Sequence, residues 1–256
     1  MSRNMKKRQD QIMEEIKRKK FITILDLVDI LHYSESTVKR DLIHLEKDGL
    51  IRRTRGGAIF VDEEKVDIPY LLKINAFQHD EKKSIIAKKC ESLIEDDMVL
   101  FIDSSSTCLH LVDILKKFKG IQIITNGLMS AFVFSERTPA SVYCIGGKIE
   151  SKKLTINSPK AHSDIENYSA DLSFISCRGC NLLQGATELT EGESYIKRGF
   201  RKQSQRVALL VDSEKIETSF MHKSLDFQDI DYVVSDGEFS ETWQHDFMKK
   251  DVKIIE

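Results

Sequence analysis

The chain has 256 residues, of which 41% are hydrophobic and only three are proline. A chain of this length can bury a sizeable core, and we expect one large domain together with one small domain. The opening residues MSRNMKKRQD lack the apolar core of a signal peptide, and no run approaches the roughly 20 apolar residues of a membrane span. The sequence therefore predicts a globular, cytoplasmic protein without a membrane partner.

Charge is divided unevenly along the chain. Residues 1–57 carry 14 Lys and Arg against 9 Asp and Glu, a net charge of +5, whereas residues 58–256 carry 25 against 32, a net charge of −7. A basic segment favours a polyanionic partner, although lysine-rich helix faces are also often merely solvated. The asymmetry indicates that any contact with nucleic acid belongs to the N-terminal segment.

The five cysteines indicate neither a disulfide framework nor a metal site. Their number is odd and they are scattered over a long chain, which is typical of reduced thiols. Cys177 and Cys180 form a C-x-x-C pair, but this pair supplies only two zinc ligands, and no second pair or nearby His pair completes a tetrahedral site. We expect no metal and no cofactor.

Three helices are predicted before residue 50. Residues 5–19 have the spacing of an amphipathic helix. Thr23 is a candidate N-cap for a second helix, because Asp26 follows three residues later as in a capping box. Ser34 can cap a third helix, which Gly49 can end. The apolar side of this third helix consists of Val38, Leu42 and Leu45.

A hairpin is predicted after the third helix, because two short extended segments flank Gly56 and Gly57. A helix that presents hydroxyl and basic side chains fits the major groove, and an arginine-bearing hairpin beside it can place cations on the DNA backbone or in the minor groove. The same spacing also fits a three-helix protein-interaction module with solvated arginines. The candidate DNA-binding residues are Ser34, Ser36, Thr37, Lys39, Arg40, Arg52, Arg53, Arg55, Gly56 and Gly57.

The order of residues in this segment is more specific than its spacing. The stretch SESTVKRDLIHLEKDGLIRRTRGGAIF resembles the signature of the DeoR family of bacterial transcriptional regulators. In that signature a Ser-x-x-Thr-[IV]-[KR]-Arg-Asp-Leu-x-x-Leu recognition helix is followed by a Gly-Leu-[IL] corner and an arginine-bearing Gly-Gly-Ala wing, and this sequence has the same order. The resemblance implies a winged helix-turn-helix that binds double-stranded operator DNA.

The rest of the chain predicts an α/β domain. An acidic segment containing Pro69 is interpreted as a linker, and a helix is predicted over residues 80–94. Short apolar runs then alternate with helical stretches, which indicates a largely parallel sheet whose strands are buried on both faces. The runs are MVLFIDSSST, IQIITNG, SVYCIGG, ADLSFISCRG, RVALLVDSEK and DYVVSDG.

Ligands of parallel sheets bind beyond the carboxyl ends of the strands. Here those ends carry hydroxyl, amide, basic and glycine residues, a collection that suits a phosphate. Each cluster could instead simply cap a helix or close a turn, but the clusters recur at several strand ends. The candidate effector-binding residues from this pattern are Asp103, Ser104, Ser105, Ser106, Thr107, Thr125, Asn126, Gly146, Gly147 and, following Asp212, Lys215.

This half also resembles the DeoR family, whose sensor domain is similar in fold to ribose-5-phosphate isomerase and usually binds a phosphorylated sugar. The positions that match the family are Thr125-Asn126, Gly146-Gly147, Asp212-x-x-Lys215, and Glu193 with Lys197-Arg198. The resemblance therefore implies a phosphorylated sugar as effector, and it adds Glu193 and Lys197 to the candidate effector-binding residues.

Three positions depart from the family pattern. Ser105 replaces a glycine of an Asp-x-Gly-Thr-Thr motif, Ser158 stands where glycine is common, and a Gly-Ala-Asp-Gly turn becomes SCRG at residues 176–179. Glycine lets a backbone approach a phosphate closely, so these serines can narrow the pocket or replace amide contacts with hydroxyl contacts. We hypothesise an effector that differs from the usual one, with Arg178 meeting a second anionic group. An ordinary surface role for Arg178 stays open.

Together these features predict a repressor of a carbohydrate-utilisation operon that a phosphorylated sugar releases from its operator. We expect a DNA-binding domain at residues 1–57, a linker at 58–76 and a sensor domain at 77–256. We also expect a homodimer or homotetramer, since one small module makes too few base contacts for strong specificity.

Two other functions stay open. The first is a sugar-phosphate isomerase-like enzyme with an accessory DNA-binding domain, in which Asp103, Glu193 and Lys215 would take acid–base roles. The resemblance argues against this alternative, so we expect no enzymatic activity. The second is a scaffold protein that binds no ligand. This function would be favoured if the replacement of glycines by serines closed the pocket.

Overall fold

The computed structural model describes residues 3–19, 21–47, 51–54, 56–60, 80–150 and 153–256. The chain divides into two compact units, with the boundary in the sequence between residues 75 and 76. Gly49, Arg55, the side chain of Arg52 and most of the predicted linker lie outside the described residues.

The first unit combines helices with a small antiparallel sheet in the order β1-β3-β2. Strand β3 continues to Phe60, three residues beyond the expected end of the DNA-binding domain at 57. The elements are α1 (Arg3–Lys19), β1 (Phe21–Thr23), α2 (Ile24–Leu31), α3 (Glu35–Lys47), β2 (Ile51–Arg53) and β3 (Gly57–Phe60).

Local sequence signals set the turn between α2 and α3. Thr23 Oγ1 accepts a hydrogen bond from the backbone N–H of Asp26, and the Asp26 carboxylate accepts one from the backbone N–H of Thr23. This is the predicted capping box. His32 ends α2 in the left-handed region with φ of 58°. Ser34 Oγ then accepts from the N–H of Thr37, so both predicted caps are confirmed.

The core of this unit is the predicted apolar side of the three helices. Val38 and Leu42 of α3 are fully buried and Leu45 is 3% exposed. They pack with Ile12 and Ile16 of α1 and with other buried side chains of the unit. Each such side chain contributes about 1.5–3 kcal/mol through burial, which holds α3 against the rest of the unit while its polar side faces outward.

The second unit contains a seven-stranded, wholly parallel sheet in the order β13-β12-β10-β7-β4-β5-β6. A separate antiparallel sheet has the order β11-β9-β8. The strands are β4 (Val99–Ile102), β5 (Gln122–Thr125), β6 (Ser141–Cys144), β7 (Ala170–Ser176), β8 (Gly179–Asn181), β9 (Gly185–Glu188), β10 (Ser204–Leu210), β11 (His222–Leu225), β12 (Tyr232–Val234) and β13 (Lys253–Ile255).

Helices connect these strands. The helix predicted over residues 80–94 is α-helical to Lys89 and then tightens into a 3₁₀ turn. The helices are α4 (Glu81–Lys89), α5 (Ser106–Leu109), α6 (Val112–Leu115), α7 (Leu128–Arg137), α8 (Pro159–Ile165), α9 (Glu191–Lys202) and α10 (Glu241–Lys249), with 3₁₀ turns at Cys90–Leu93, Ser213–Lys215 and Phe227–Asp229.

The six predicted apolar runs form six of the seven strands of the parallel sheet, so the α/β fold class is confirmed. The chain starts in the middle of the sheet at β4, runs outward through β5 to β6, and returns to β7 on the other side of β4 before continuing to β13. The order therefore reverses between β4 and β7. In open α/β sheets a ligand binds at such a switch point, beyond the carboxyl ends of the strands.

The core of the second unit is aromatic as well as aliphatic. Phe101 of β4 stacks on Phe200 of α9, with ring centroids 4.4 Å apart. Phe227, Trp243 and Phe247 form a second cluster through edge-to-face contacts. These contacts fix α9 and α10 against the sheet, and α9 carries polar side chains to the switch point.

Candidate functional site

The outward face of α3 is polar and hydroxyl-rich at its N-terminal end. Ser34 Oγ lies 3.1 Å from Ser36 Oγ and 2.8 Å from Thr37 Oγ1. Lys39 pairs with Glu35 on the same helix, with 2.6 Å between Nζ and Oε1. The exposed guanidinium of Arg40 makes no hydrogen bond or ion pair with any described residue. The predicted groove-facing residues of α3 thus share one accessible face.

Strands β2 and β3 form the predicted hairpin, which confirms the wing. Arg53 pairs with Ala58, and the turn closes through a hydrogen bond from the N–H of Thr54 to the carbonyl of Gly57. The N–H of Arg53 also donates to Glu46 Oε1 of α3 at 2.9 Å. The wing is therefore tied directly to α3.

The two wing glycines differ in their surroundings. A Cβ at Gly57 would lie 2.2 Å from the carbonyl oxygen of Ile22, because β3 pairs closely with β1 at this point. A Cβ at Gly56 would meet open space. Gly57 thus has a packing role in the sheet, and Gly56 is accessible.

A cavity of about 370 Å³ lies in the second unit at the switch point of the parallel sheet. Side chains that follow β4, β5, β7 and β10 line it, together with residues of β9 and α9. Ligand pockets span about 300–1,000 Å³, so the cavity suits a small molecule. Its lining is Asp103, Ser104, Ser105, Ser106, Asn126, Lys153, Thr155, Asn157, Cys177, Arg178, Glu188, Leu189, Glu193, Ile196, Lys197 and Lys215.

Lys197 lies at the base of this cavity between two buried carboxylates. Its Nζ is 2.5 Å from Glu188 Oε1 and 3.7 Å from Asp103 Oδ2. Burial alone would lower the pKa of Lys197, but the charges of Glu188 and Asp103 outweigh it and raise that pKa above its ordinary value. Burial raises the pKa of Glu188, although Lys197 opposes the shift. Lys197 therefore stays charged inside the protein.

Asp103 is committed to structure at the end of β4. Its Oδ1 accepts from the N–H of Ser105 at 2.9 Å, and its Oδ2 accepts from the N–H of Ser176 at 2.9 Å. These bonds join the loop after β4 to the end of β7 across the switch point. Asp103 is 1% exposed, so it shapes the floor of the cavity.

Lys215 reaches the cavity from the 3₁₀ turn after β10. Its Nζ pairs with Asp212 at 3.0 Å and donates to Ser176 Oγ at 3.2 Å and Thr107 Oγ1 at 3.3 Å. Ser176 ends β7, Asp212 follows β10, and Thr107 lies in α5, the helix after β4. Lys215 is therefore held in one position beside the cavity, where its charge can meet an anion.

Amide and carboxylate side chains form a chain of hydrogen bonds along another wall. Asn126 accepts from the N–H of Ser104 at 3.1 Å and donates to Asn157 Oδ1 at 2.9 Å. Glu193 Oε1 accepts from Lys153 Nζ at 3.3 Å. Groups of this type can bind the hydroxyls of a polyol, because each offers donors or acceptors in a fixed place.

Most of the predicted effector residues line the cavity, and four lie outside its lining. Thr107 accepts from Lys215, and Thr125 Oγ1 accepts from the N–H of Gly127 at 3.2 Å. The N–H of Gly146 donates to Asp164 at 3.2 Å, and Gly147 packs against Ser158 with φ of 150°. These four residues therefore contact neighbouring loops and side chains rather than the cavity itself.

Several lining residues were not predicted: Lys153, Thr155, Asn157, Cys177, Glu188, Leu189 and Ile196. Glu188 ends β9, a strand of the small antiparallel sheet, and Asn157 lies just before α8. Glu188 lies three residues before the α9 start, within the polar stretch TELTEGE. That concentration of acids at the start of a helix is the sequence signal that could have indicated Glu188.

The serines that depart from the family pattern have hydrogen-bonding roles. Ser105 caps α5 with φ of −72° and accepts from the N–H of Cys108 at 3.1 Å. Ser158 caps α8 with φ of −76° and accepts from the N–H of Ala161 at 3.4 Å. Neither position has the left-handed backbone that favours glycine, so serine fits both without strain. The cavity remains open at Ser105.

The C-x-x-C pair is part of the core. Cys177 and Cys180 are 5% and 0% exposed. The hydrogen bond between the two side chains, together with burial, raises the pKa of Cys177 well above its ordinary value. In the parts of the chain that the structure describes, no group of three or more potential ligands could hold a metal ion.

None of the helices among the described residues has the length and apolarity needed to cross a bilayer.

Solved structures with some likeness to this chain include two ribose 5-phosphate isomerases. The enzyme from Plasmodium falciparum aligns with a TM-score of 0.38 at 12% identity, covering 53% of this chain and 52% of that one. The enzyme from Neisseria gonorrhoeae aligns with a TM-score of 0.40 at 13% identity, covering 54% and 53%.

Curated relatives cover nearly the full length. The HTH-type transcriptional regulator GolR of Listeria innocua is 29% identical over 97% of this chain and 98% of its own length. The uncharacterized HTH-type transcriptional regulator FruR of Bacillus subtilis is 30% identical over 83% and 84%. The putative aga operon transcriptional repressor of Escherichia coli is 24% identical over 90% and 85%.

Family descriptions match both units. Residues 8–64 match the DeoR-like helix-turn-helix domain, which includes α2, α3 and the wing. Residues 78–237 match the DeoR C terminal sensor domain, which includes the cavity at the switch point. With its exposed α3 face and its sensor cavity, the chain belongs to the DeoR family of transcriptional regulators.

Proposed function

We propose that this regulator represses a carbohydrate-utilisation operon and that a phosphorylated sugar, bound in the cavity, releases it from operator DNA. The DNA-binding surface comprises the α3 face and the wing, including Arg52 and Arg55. Relatives whose names identify them as repressors, such as the putative aga operon repressor and GlcR of Bacillus subtilis, support repression as the direction of control.

The chemistry of the cavity carries this proposal. Lys153, Lys197, Lys215 and Arg178 bring four cationic groups to its lining, beside hydroxyl, amide and carboxylate groups. A phosphate needs cations and donors, and a sugar needs paired donors and acceptors. The hydroxyls of Thr107 and Ser176 lie within 3.3 Å of Lys215 Nζ, on the side where we place the phosphate.

The geometry favours binding over turnover. An acid–base catalyst needs a side chain free to take or give a proton in contact with the substrate. Both oxygens of Asp103 are occupied by backbone amides, Glu193 is paired with Lys153, and Lys215 is held by three partners. We therefore infer a sensor without isomerase activity.

Arg178 provides a place for a second anionic group. It lines the cavity and is exposed, and its guanidinium makes no hydrogen bond or ion pair with any described residue. Lys215 lines the same cavity. An effector with two anionic groups, or with one phosphate and a carboxylate, would engage both.

Release requires the effector to bind better to a conformation with low operator affinity, because a ligand shifts an equilibrium only through differential affinity. We infer that the coupling between the effector site and the DNA-binding domain runs through the 58–80 linker and the subunit arrangement. A homodimer or homotetramer would place two winged helices on paired half-sites of an operator. The regulator then works in the cytoplasm, where its DNA and its effector are.

The test uses the full-length chain. Thermal unfolding is measured with glucose 6-phosphate, fructose 1-phosphate, fructose 6-phosphate, ribose 5-phosphate and the corresponding free sugars. A ligand at about 100 times its Kd stabilises by about 2.7 kcal/mol, so one phosphorylated sugar should raise the melting temperature while its free sugar should not. Product analysis of the same mixtures should show no isomer conversion.

Two variants localise the effect. Lys215→Gln should abolish the shift, whereas Lys202→Gln, which changes an exposed lysine outside the cavity on α9, should retain it. Operator binding is then measured with and without the active sugar. No shift with any phosphorylated sugar, in a protein that unfolds cooperatively, would refute the proposed effector class.

A further inference from the structure

Arg8 of α1 and Asp41 of α3 form an ion pair inside the DNA-binding unit. The Asp41 side chain is fully buried, although its neighbour Arg40 is exposed. Arg8 Nε and Nη2 donate to the two oxygens of Asp41, with 3.1 Å between Nη2 and Oδ1. Two parallel bonds from a planar guanidinium fix orientation as well as distance. The pair therefore constrains how α3 is turned relative to α1.

Arg8 also contacts the turn that precedes α3. Its guanidinium carbon lies 5.5 Å from the ring centroid of Tyr33, which is a cation–π distance. Tyr33 Oη in turn donates to Gln11 Oε1 of α1 at 3.1 Å. The hydrogen bond to Asp41 raises the pKa of Arg8 further, so the guanidinium is charged. One side chain of α1 thus fastens both the turn and α3.

Apolar packing sets only coarsely how α3 is rotated about its axis. Val38, Leu42 and Leu45 hold the helix against the core, but hydrophobic contact is non-directional. Consecutive residues of an α-helix are about 100° apart around its axis. A rotation that carried Asp41 away from Arg8 would turn Arg40 through the same angle, away from its place on the DNA-facing side.

We propose that Arg8 and Asp41 are positioning residues for operator recognition: their buried ion pair sets the rotation of α3 that places Ser36, Thr37, Lys39 and Arg40 against base edges. Neither residue touches DNA. The inference rests on the operator-binding part of the proposed function and is independent of the effector.

Specific and non-specific binding separate this role from a purely structural one. Non-specific affinity depends on the number of phosphates that cations neutralise, and it sets the slope of affinity against salt. Those cations remain when Arg8 or Asp41 is changed conservatively. Discrimination between sequences depends on the placement of side chains against base edges. Changes at Arg8 or Asp41 should therefore lower discrimination more than they lower non-specific affinity.

The full-length wild-type protein is first used to select a preferred duplex from a randomised DNA pool. Affinities for that duplex and for a scrambled duplex are then measured as a function of salt concentration for two variants. Asp41→Asn keeps the shape of the side chain and removes its charge. Arg8→Lys keeps the positive charge and loses the paired hydrogen bonds of the guanidinium. Arg18→Lys is the matched control, since Arg18 is an exposed arginine of the same helix paired with Glu15. Amide exchange in α3 confirms that each variant is folded.

We expect the ratio of affinities for selected and scrambled duplexes to fall about tenfold in Asp41→Asn, the equivalent of about one good base contact. Arg8→Lys should lie between Asp41→Asn and wild type, and Arg18→Lys should match wild type. The salt slope on scrambled DNA should not change. If the folded variants discriminate between the two duplexes as well as wild type does, this inference alone is overturned. The same holds if the affinities for both duplexes fall by the same factor. A wild-type protein that selects no sequence would overturn the operator-binding proposal as well.

Discussion

Lys197 and Glu188 are joined inside the sensor unit, with 2.5 Å between Nζ and Oε1, and both side chains are at most 10% exposed. Removing one partner of such a pair leaves the other charge buried without compensation, which costs about 3–5 kcal/mol. We expect the free energy of unfolding of Lys197→Met to be lower than that of wild type by about this amount. Trp243, the single tryptophan, is buried in this unit, so its fluorescence during urea unfolding measures the change.

Lys202→Met is the control for this prediction. Lys202 lies on the same helix and pairs with Glu166, but its side chain is 70% exposed. Exposed pairs of this kind contribute little, so the urea midpoint of the control should stay near the wild-type value. Equal midpoints for the two variants would contradict the buried ion pair.

The same lysine predicts a dependence of stability on alkaline pH. Although burial opposes it, the charges of Glu188 and Asp103 raise the pKa of Lys197 above its unfolded value. Its stabilising contribution is therefore complete below pH 10.4 or so, the pKa of an unfolded lysine, and is lost as pH rises towards the higher folded pKa. The difference in unfolding free energy between wild type and Lys197→Met should shrink above that pH, by up to about 1.4 kcal/mol per pH unit. A difference that stays constant to pH 11.5 would contradict the raised pKa.

Thiol reactivity tests the burial of the cysteines. Cys90, Cys108, Cys177 and Cys180 are buried, whereas Cys144 at the end of β6 is exposed. Burial raises the pKa of Cys90, and the thiolate is the reactive form. Partial burial also raises the pKa of Cys144, so we expect N-ethylmaleimide to label Cys144 faster than the other four cysteines in the native protein, and all five after unfolding, as measured by mass spectrometry. Rapid native labelling of Cys177 would show that the cavity exposes it.

How much of the fold follows from sequence depends on how continuous each apolar run is. The inner strands of the parallel sheet are largely buried, so runs such as VLFI and QIIT stand out. The edge strand β6 is mostly exposed, so the prediction that the strands are buried on both faces is wrong for that strand. Strand β13 is a three-residue segment, KII, with an exposed lysine, and it was not predicted. The strands GCN and HKSL of the small sheet mix glycine, polar and apolar residues, so neither period nor propensity marks them.

The candidate site divides in the same way. Asp103, Asn126 and Lys215 were predicted because the carboxyl ends of parallel strands must meet at one edge of the sheet. Glu188 and Asn157 reach the cavity from β9 and from the segment before α8, whose positions depend on tertiary packing. Asp41 was recognised only as part of a motif, because its partner Arg8 is 33 residues away in sequence.

Arg178 predicts a preference for a second anionic group. Because its guanidinium has no partner among the described residues, Arg178→Ala should change stability by less than about 0.5 kcal/mol. It should lower the affinity for fructose 1,6-bisphosphate more than that for fructose 6-phosphate, as measured by calorimetry. Arg137→Ala, which changes an arginine of α7 outside the cavity lining, should leave both affinities unchanged. Unchanged affinity for both sugars in Arg178→Ala would end the hypothesis.

The two wing glycines provide a matched pair for the DNA-binding unit. A Cβ at Gly57 would lie 2.2 Å from the Ile22 carbonyl oxygen, so Gly57→Ala must push β3 away from β1. Overpacking of this kind costs about 1–3 kcal/mol. We expect Gly57→Ala to lower the melting temperature of the first unit, measured by far-UV circular dichroism, and to weaken DNA binding. The melting temperature of the second unit, measured by the fluorescence of Trp243, should stay unchanged. Gly56→Ala, which places its Cβ in open space, should melt like wild type. Equal melting of the two variants would show that β1 and β3 are not paired as closely as the structure has them.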